Sequence, residues 1–418
     1  MYIISETPIT DIELRAAILK SLEGLSPKKV LILPPDYTRM HSGAGKITAI
    51  YYELLKDNCA VDIMPALGTH APMTKEECEA FFLGVVPYEK LIVHNWRTDI
   101  IKLGEVSAEF VSEVSEGLVN EKIDVEVNHL LIDGGYDLII SVGQVVPHEV
   151  VGMANYTKNI LVGCGGASMI NASHMLGAVF GMERIMGKDF SPVRRVLDYA
   201  EEHFLKNLPL TYVLTVTTSG GDEVQLYGLF IERNRRLFEL AVAESQKRNM
   251  IHLSRPLEKV VVYLDGREFK STWLGNKAIY RTRMAIAAGG ELIILAPGVK
   301  MFGEDPENDR LIRKYGYRGR KKILELLREN CDLKDNLSVA AHLIHGSSDG
   351  RFSITYCTRL LTRHEVESVN FSCMPYEDAI KKYDPSALVD GFNEVCGEEL
   401  FYISNPALGL WTAQEVKK

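Results

Sequence analysis

The chain of 418 residues has no CxxC pair among its seven scattered cysteines, no HExxH pair and no excess of basic charge. An odd number of scattered cysteines argues against a disulfide framework or a cysteine-rich zinc site and favours reduced thiols in a cytoplasm. A formal net charge of −9 argues against nucleic-acid binding, which needs a basic face. No apolar run approaches the roughly 20 residues that cross a bilayer, and the first residues do not resemble a signal peptide. We therefore expect a cytoplasmic protein without a membrane or nucleic-acid partner.

The length and the alternation of predicted elements indicate two α/β domains. A chain of this length exceeds the usual size of a single hydrophobic core. Apolar strand segments such as KKVLIL and YDLIISV alternate with helical patterns, which is typical of parallel sheets with crossover helices. The pattern restarts near residue 255, where we predict a strand in EKVVVYLDG, a helix over Lys277–Ala288 and a strand in GGELIILAPG. We predict an α/β fold with mostly parallel or mixed sheets, with domains over residues 1–254 and 255–418.

Polar residues follow three predicted strands of the N-terminal domain. Asp36 and Arg39 follow the first strand, His70 follows the second, and His148 follows the third. Ligands of open α/β sheets bind at the carboxyl ends of the strands, so we expect a site at this edge. Arg39 suits a carboxylate or phosphate, and a histidine suits a general base near neutral pH. In the alternative interpretation, Asp36 caps a helix and pairs with Arg39, while His70 bonds only to backbone.

The segment VVPHEVVGMANYTKNILVGCGGASMINASHM, residues 145–175, combines a glycine loop with His148, Lys158 and His174. The two histidines are too far apart for a metal site of the HExxH kind, whose histidines are four residues apart. One histidine suffices for a metal if a cofactor supplies the other donors, and a lysine can form a covalent link or neutralise a phosphate. The alternative is a phosphate-binding glycine loop in which the histidines have no role.

Two further candidates lie in the C-terminal domain. Lys277 stands at the head of a predicted helix, where the helix dipole disfavours a cation, and this mismatch indicates that the lysine serves a ligand. A solvated surface lysine is the alternative. His342 and His345 in HLIHG are three residues apart on a predicted strand or turn, which is weak evidence for a site.

Taken together, these segments resemble the lactate racemase family, the 2-hydroxy-acid racemases and epimerases that use a nickel-pincer nucleotide. The most specific feature is the spacing, because ten residues separate His148 from Lys158 and sixteen separate Lys158 from His174. DYTR and GTHAPMT resemble the Asp-x-x-Arg motif and the catalytic histidine loop of the family. Lys277, twelve residues before a Gly-Gly pair, resembles its substrate-contacting lysine.

The resemblance implies a set of cofactor residues. Lys158 would carry the pyridinium nucleotide through a thioamide bond. His174 would be the only protein ligand of a nickel ion that the cofactor otherwise holds, and Asp36 and Gly152 would lie at the cofactor. The family obtains the nucleotide from separate biosynthetic enzymes, which are therefore expected partners.

The resemblance also implies a set of substrate residues. His70 and His148 would lie on opposite faces of a 2-hydroxy acid, each able to take the hydroxyl proton while hydride leaves C2 and returns to the other face. Arg39 and Lys277 would hold the carboxylate and polarise the carbonyl oxygen. We expect the active site in the cleft between the two domains, because a closed cleft keeps a transient 2-oxo acid from escaping.

Two departures from the family leave the substrate open. MANYT precedes Lys158 where the lactate enzymes carry a glycine- and serine-rich segment with an arginine, and Leu274 stands where a glutamine is common. We expect lactate or a larger 2-hydroxy acid, such as a sugar acid. A nicotinamide-dependent 2-hydroxy-acid dehydrogenase is one alternative, although VGCGGASM does not give GxGxxG directly after a strand. A non-catalytic binder of anionic metabolites is another. The sequence does not indicate an oligomeric state.

Overall fold

The computed structural model describes residues 1–220 and 223–413, and these residues form an α/β protein. The chain divides into two compact units. The first contains Met1–Phe180 and Arg184–Asn249, and the second contains Gly181–Glu183 and the chain from Met250 onward.

The first unit contains a six-stranded sheet and shorter strand pairs. Its strands are β1 (Tyr2–Ile4), β2 (Lys29–Leu33), β3 (Ala60–Ile63), β4 (Ile100–Val106), β5 (Ile123–Asn128), β6 (Leu138–Gln144), β7 (Pro147–His148), β8 (Gly152–Met153), β9 (Leu210–Gly220) and β10 (Glu223–Ile231). The order in the main sheet is β1-β10-β9-β6-β2-β3. Strands β3, β2, β6 and β9 are parallel, whereas β10 runs antiparallel to β9 and β1. This is a mixed sheet with a parallel centre.

Helices surround this sheet. They are α1 (Asp11–Ser21), α2 (Ala44–Leu55), α3 (Lys75–Phe81), α4 (Ala108–Val114), α5 (Leu130–Asp133), α6 (Ala167–Phe180), α7 (Met182–Ile185, at the boundary of the units along the chain), α8 (Pro192–Phe204) and α9 (Arg235–Asn249). Short 3-10 helices cover Tyr37–Ser42 and Tyr88–Lys90, and a π-helix covers Asn159–Gly163. Thr74 caps α3 in the predicted capping box with Glu77.

The sequence of β2 explains why the sheet is buried on both faces. Val30 and Ile32 pack into one hydrophobic core, whereas Leu31 and Leu33 pack into another. Alternate residues of a strand point to opposite faces, so a continuous apolar run such as KVLIL suits a central parallel strand. The parallel pairing places the carboxyl ends of β2, β3 and β6 at one edge, as the sequence predicted.

The second unit contains its own six-stranded sheet of order β15-β14-β13-β12-β17-β16. The strands of this unit are β11 (Met250–Leu253), β12 (Leu257–Tyr263), β13 (Ile286–Leu295), β14 (Ser353–Thr358), β15 (Ser372–Pro375), β16 (Gly391–Val395), β17 (Glu398–Ile403) and β18 (Leu410–Ala413). Strands β11 and β18 form a separate pair. Its helices are α10 (Thr272–Gly275), α11 (Lys277–Thr282), α12 (Pro306–Tyr315), α13 (Arg320–Glu329), α14 (Cys331–Lys334), α15 (Leu337–His345), α16 (Arg363–Ser368) and α17 (Tyr376–Lys382). All pairs in the sheet are parallel except β16–β17.

Two local predictions were wrong. The helix from Lys277 ends at Thr282 rather than Ala288, because the chain turns there and enters β13 at Ile286. His342 and His345 lie on helix α15 rather than on a strand or turn. Short apolar segments fit both periodicities, and tertiary packing decides between them. Across residues 1–220 and 223–413, no helix combines the length and apolar character that crossing a bilayer demands.

Candidate active site

The segment after β2 places a buried carboxylate against a histidine. Asp36 caps the 3-10 helix Tyr37–Ser42, and its Oδ1 accepts hydrogen bonds from the backbone N of Thr38 at 2.8 Å and from its Oγ1 at 2.5 Å. The other oxygen, Oδ2, lies 2.6 Å from Nδ1 of His70. Burial opposes ionisation of Asp36, but the nearby His70 and Arg39 hold its pKa below the usual value. The alternative interpretation is therefore correct about the cap and wrong about His70, which the same carboxylate contacts.

The tautomer of His70 follows from this contact. An ionised carboxylate only accepts hydrogen bonds, so Nδ1 of His70 carries the hydrogen. In the neutral ring, the lone pair then lies on Nε2, and that atom is free of the Asp36 contact. This arrangement suits a general base.

Arg39 is half-buried and lies on the same segment. Its Nη1 donates to Oγ1 of Thr38 at 2.8 Å, and its charge lowers the pKa values of both Asp36 and Lys158. The segment is fastened to the sheet, because Oγ1 of Thr215 on β9 donates to the carbonyl oxygen of Ser42 at 2.7 Å. Arg39 is thus a cation held next to the Asp36–His70 pair.

His148 ends β7, in a hairpin with β8 that is packed closely on two sides. Gly152 has φ +88°, and an added Cβ there would lie 2.1 Å from the carbonyl oxygen of Lys188. On the other side, an added Cβ at Gly177 of α6 would lie 2.7 Å from the carbonyl oxygen of Val150. The backbone N–H of Val150 donates to Nδ1 of His148 at 3.1 Å. In the neutral ring of His148 the hydrogen therefore lies on Nε2.

Lys158 follows a loop held in an uncommon conformation. Asn155 and Tyr156 both have positive φ, 66° and 57°, which is unfavourable for residues other than glycine. The buried guanidinium of Arg194 holds this loop. It donates to the carbonyl oxygens of Met153 at 2.8 Å and Asn155 at 3.0 Å and to Oγ1 of Thr157 at 2.5 Å. The position of Lys158 is therefore fixed by the strained loop immediately before it.

Lys158 and His174 share one electrostatic environment. Burial, together with the charge of Arg39, lowers the pKa of Lys158 to about 8. Burial, together with the charge of Lys158, lowers the pKa of His174 to about 4, so His174 is neutral at physiological pH. Nδ1 of His174 lies 2.6 Å from the carbonyl oxygen of Ile170 and must donate to it, which leaves the lone pair on Nε2. A neutral imidazole whose Nε2 carries no hydrogen is the form that binds a metal.

The donor set fits a metal that a cofactor holds in part. Among residues 1–220 and 223–413, no group of three or more His, Cys, Asp or Glu side chains could hold a metal ion. His174 offers a single oriented nitrogen, and the half-buried Lys158 has an amine with a lowered pKa. The site therefore offers one oriented imidazole nitrogen and one amine of lowered pKa.

In the second unit, Lys277 begins helix α11. Its Nζ lies 3.8 Å from Oε1 of Glu268 and 5.3 Å from the centre of the Phe269 ring, and only 13% of its side chain is exposed. It is not the fully solvated surface lysine of the alternative interpretation. His342 is buried in a network of this unit, where its nitrogens lie 2.9 Å and 2.8 Å from the hydroxyls of Tyr280 and Tyr317.

Sequence analysis missed two residues at this site. Glu149 lies beside His148, and its charge acts on both Lys158 and His174. Arg194 holds the loop before Lys158 from 36 positions further along the chain. The sequence carries no motif for either residue, because nothing in PVRRV distinguishes the buried Arg194 from the exposed Arg195.

Comparisons with known proteins show which proteins this chain resembles. Residues 7–185 match the lactate racemase N-terminal domain. A curated lactate racemase from Thermoanaerobacterium thermosaccharolyticum is 24% identical over 201 residues, which cover 47% of this chain but only 43% of that protein. The match thus spans less than half the length of this relative.

Two solved structures share the fold. A crystal structure of a Thermotoga maritima protein is 25% identical, with a TM-score of 0.84 over 98% of this chain and 100% of that one. The lactate racemase apoprotein from T. thermosaccharolyticum is 17% identical, with a TM-score of 0.68 over 98% of this chain and 94% of that one. The chain is thus similar to lactate racemases, with their N-terminal domain matched over residues 7–185.

Proposed function

We propose that the protein is a 2-hydroxy-acid racemase or epimerase that works with a nickel-pincer nucleotide attached to Lys158. The opposite hydrogen bonding of two histidines carries this proposal. Nδ1 of His70 faces a carboxylate at 2.6 Å, whereas Nδ1 of His148 accepts a backbone hydrogen bond at 3.1 Å. Nε2 is therefore a hydrogen-bond acceptor in His70 and a hydrogen-bond donor in His148 when both rings are neutral. Inversion of a hydroxyl-bearing carbon requires one group that takes the hydroxyl proton and a second group that returns a proton on the other face.

The chain's own residues then have distinct roles. Nε2 of His70 takes the hydroxyl proton of one enantiomer, and the protonated ring of His148 returns a proton from Nε2 on the other face. Arg39 binds the carboxylate of the substrate. Lys277 is proposed as the second substrate cation, and Asp36 as the residue that fixes the ring of His70. Because a 2-oxo acid is formed in passing, the site must exclude water and hold the acid until the reaction is complete.

The cofactor residues support the same class of reaction. When bound, the nucleotide would supply the hydride acceptor and the remaining nickel donors. Nε2 of His174 would bind nickel, and the amine of Lys158 would provide the covalent link. The close contact with Lys188 explains why position 152 is a glycine. A role of Gly152 at the cofactor stays a prediction. The match to the lactate racemase N-terminal domain favours this assignment over a nicotinamide-dependent dehydrogenase.

The test is an intact mass and a nickel analysis of protein produced together with the cofactor-making enzymes, followed by a chiral assay on lactate and larger 2-hydroxy acids. We expect an added nucleotide mass on Lys158, about one nickel per chain and inversion at C2. Lys158→Ala should lose all three, whereas Lys122→Ala, at an exposed ion pair with Glu105, should keep them. An unmodified wild-type chain without nickel, or activity in Lys158→Ala, would refute the proposal.

A further inference from the structure

Two side-chain amides flank the carboxyl end of β6, and neither has a role in the proposed reaction. Gln144 is the last residue of this strand, and Asn155 lies three residues before Lys158. Only 6% of Gln144 and 8% of Asn155 is exposed. Among residues 1–220 and 223–413, no group hydrogen-bonds to the side-chain amide of Gln144 or to Nδ2 of Asn155. A buried amide without a partner costs free energy until a ligand completes its hydrogen bonds.

Contacts within its own loop fix the direction of the Asn155 amide. Its Oδ1 accepts a hydrogen bond from the backbone N of Tyr156 at 2.6 Å, so the opposite end of the amide, Nδ2, is a donor. An added Cβ at Gly143 would lie 1.9 Å from this Nδ2 and 3.8 Å from Cδ of Pro35. Nδ2 therefore lies close to the end of β6, beside the residue that precedes Asp36.

Gln144 lies on the other side of the same strand end. Alternate residues of a strand point to opposite faces, so the side chain of Gln144 points away from the face on which Asn155 packs. Gln144 pairs in parallel with Thr215 of β9, which places the two side chains on one face. Thr215 donates to the carbonyl oxygen of Ser42 at 2.7 Å, so the 3-10 helix that carries Arg39 covers this face. One amide thus lies beside the loop before the proposed attachment lysine, and the other lies on the side of Arg39.

The chemistry of the two amides fits hydroxyl groups. A carboxamide donates through nitrogen and accepts through oxygen, and a hydroxyl group does both through one atom. Anions are bound more strongly by charged donors, and Arg39 already has that role for the substrate carboxylate. A methyl group placed against the amides, as in lactate, would leave them desolvated and without partners. Sites built to bind a substrate hydroxyl reject analogues that lack it.

We propose that Gln144 and Asn155 bind hydroxyl groups of the substrate beyond C2, so that the substrate is a polyhydroxy acid of the sugar-acid class rather than lactate. This inference rests on the proposed function and narrows its substrate. Nδ2 of Asn155 donates to one hydroxyl oxygen, and the amide of Gln144 bonds to another. Both residues determine specificity and leave the proton transfers at C2 to the histidines.

The test compares acids of equal chain length on cofactor-loaded protein. One pair is glycerate and 2-hydroxybutyrate, which carry a hydroxyl and a methyl group on C3. The other pair is a set of six-carbon aldonic acids against 2-hydroxyhexanoate. For wild type we expect kcat/KM for inversion at C2 to be at least about 100-fold higher for the hydroxylated member of at least one pair.

Asn155→Gly and Gln144→Met remove one amide each. Glycine adopts the positive φ of position 155 without strain, and methionine is close to glutamine in length, so both variants should fold. We expect each to lower the preference for the hydroxylated acid by about 10-fold or more. Nickel content, nucleotide mass and Tm should match wild type. The control is Asn370→Gly at an exposed asparagine with φ 72°, which should keep the wild-type preference.

The ratio between paired acids separates recognition of hydroxyl groups from a structural role, because a distorted site loses activity on both members of a pair. Equal kcat/KM within each pair in wild type, an equal loss on both members in the two variants, or a loss of activity that follows a loss of nucleotide would overturn the inference and leave the racemase assignment standing. A preference retained in one variant would refute the role of that residue. Inactivity of fully loaded wild-type protein on every acid would overturn the proposed function itself.

Discussion

Nδ1 of His70 lies 2.6 Å from Oδ2 of Asp36, so a buried carboxylate determines which nitrogen of the ring faces away from it. The same carboxylate caps the 3-10 helix that carries Arg39. A single residue thus sets the geometry of a proposed base and of a proposed substrate cation.

Asp36→Asn should lower kcat by about 100-fold or more, because an amide can hold His70 in the wrong tautomer and removes the negative charge that stabilises its protonated form. The measurement is kcat of the loaded enzyme, with nucleotide mass and Tm determined in parallel. Asp124→Asn, at a partly exposed ion pair with Lys102, is the control and should equal wild type. A loaded Asp36→Asn enzyme with wild-type kcat would contradict the role given to the pair.

In the protein without cofactor, Lys158 should react with amine reagents at a lower pH than the other lysines do. Its pKa falls from the ordinary 10.5 to about 8, so about a quarter of it is neutral at pH 7.5, against about 0.1% of an ordinary lysine. Peptide mapping after brief reductive methylation across pH 7 to 10 measures this. Labelling of Lys158 should level off above about pH 9, while labelling of Lys122, whose pKa is raised by Glu105, should still be rising. Parallel curves for the two lysines would contradict the prediction.

His174→Gln should abolish nickel binding and leave the nucleotide attached to Lys158. The physical reason is that Nε2 of His174 is the proposed protein donor, whereas the covalent link is made elsewhere. Metal analysis and intact mass of the same sample check both parts.

His203 offers a matched control for that variant. Its Nδ1 lies 2.8 Å from the carbonyl oxygen of Tyr199, four residues earlier on its helix, as in the contact of His174 with Ile170. His203 is exposed, and His203→Gln should keep nickel. Full nickel content in His174→Gln would show that another group binds the metal.

Arg194→Met should destabilise the protein by about 2–4 kcal/mol, because it leaves the carbonyl oxygens of Met153 and Asn155 and the hydroxyl of Thr157 without their buried donor. Urea denaturation measures the change. Arg195→Met, at the exposed neighbouring position, should change the free energy of unfolding by less than about 0.5 kcal/mol. Equal effects of the two substitutions would show that the loop does not depend on Arg194.

The sequence was sufficient where local patterns coincide with buried strands. KVLIL and LIISVGQ are apolar enough to be predicted as central strands, and the residues that follow them fall at one sheet edge in the structure. The spacing of His148, Lys158 and His174 sufficed to suggest the family. These signals are local and can be recognised without knowledge of the packing.

Other features depend on contacts between distant segments and could not be predicted. Arg194 reaches the loop before Lys158 only because α8 packs there, and the choice of Nδ1 or Nε2 in each histidine depends on a partner elsewhere in the fold. The end of α11 at Thr282 was missed for a related reason, since Ile286 joins a sheet through pairing with Leu257. Helical periodicity alone does not reveal such a strand pairing.

The topology of the first unit also orders events during protein synthesis. Asp36 leaves the ribosome early, yet the strand that fastens its segment supplies Thr215, which lies 173 residues beyond Ser42 in the chain. Strand β1 likewise cannot pair until β10 has been synthesised. Tyr156, close to Lys158 in the chain, packs on the later residues Tyr212 and Phe238. The charges that act on the pKa of Lys158 include that of Arg194, so they are complete only after translation has passed this residue. Any modification that needs this amine in its folded state must follow synthesis of the chain at least through Arg194.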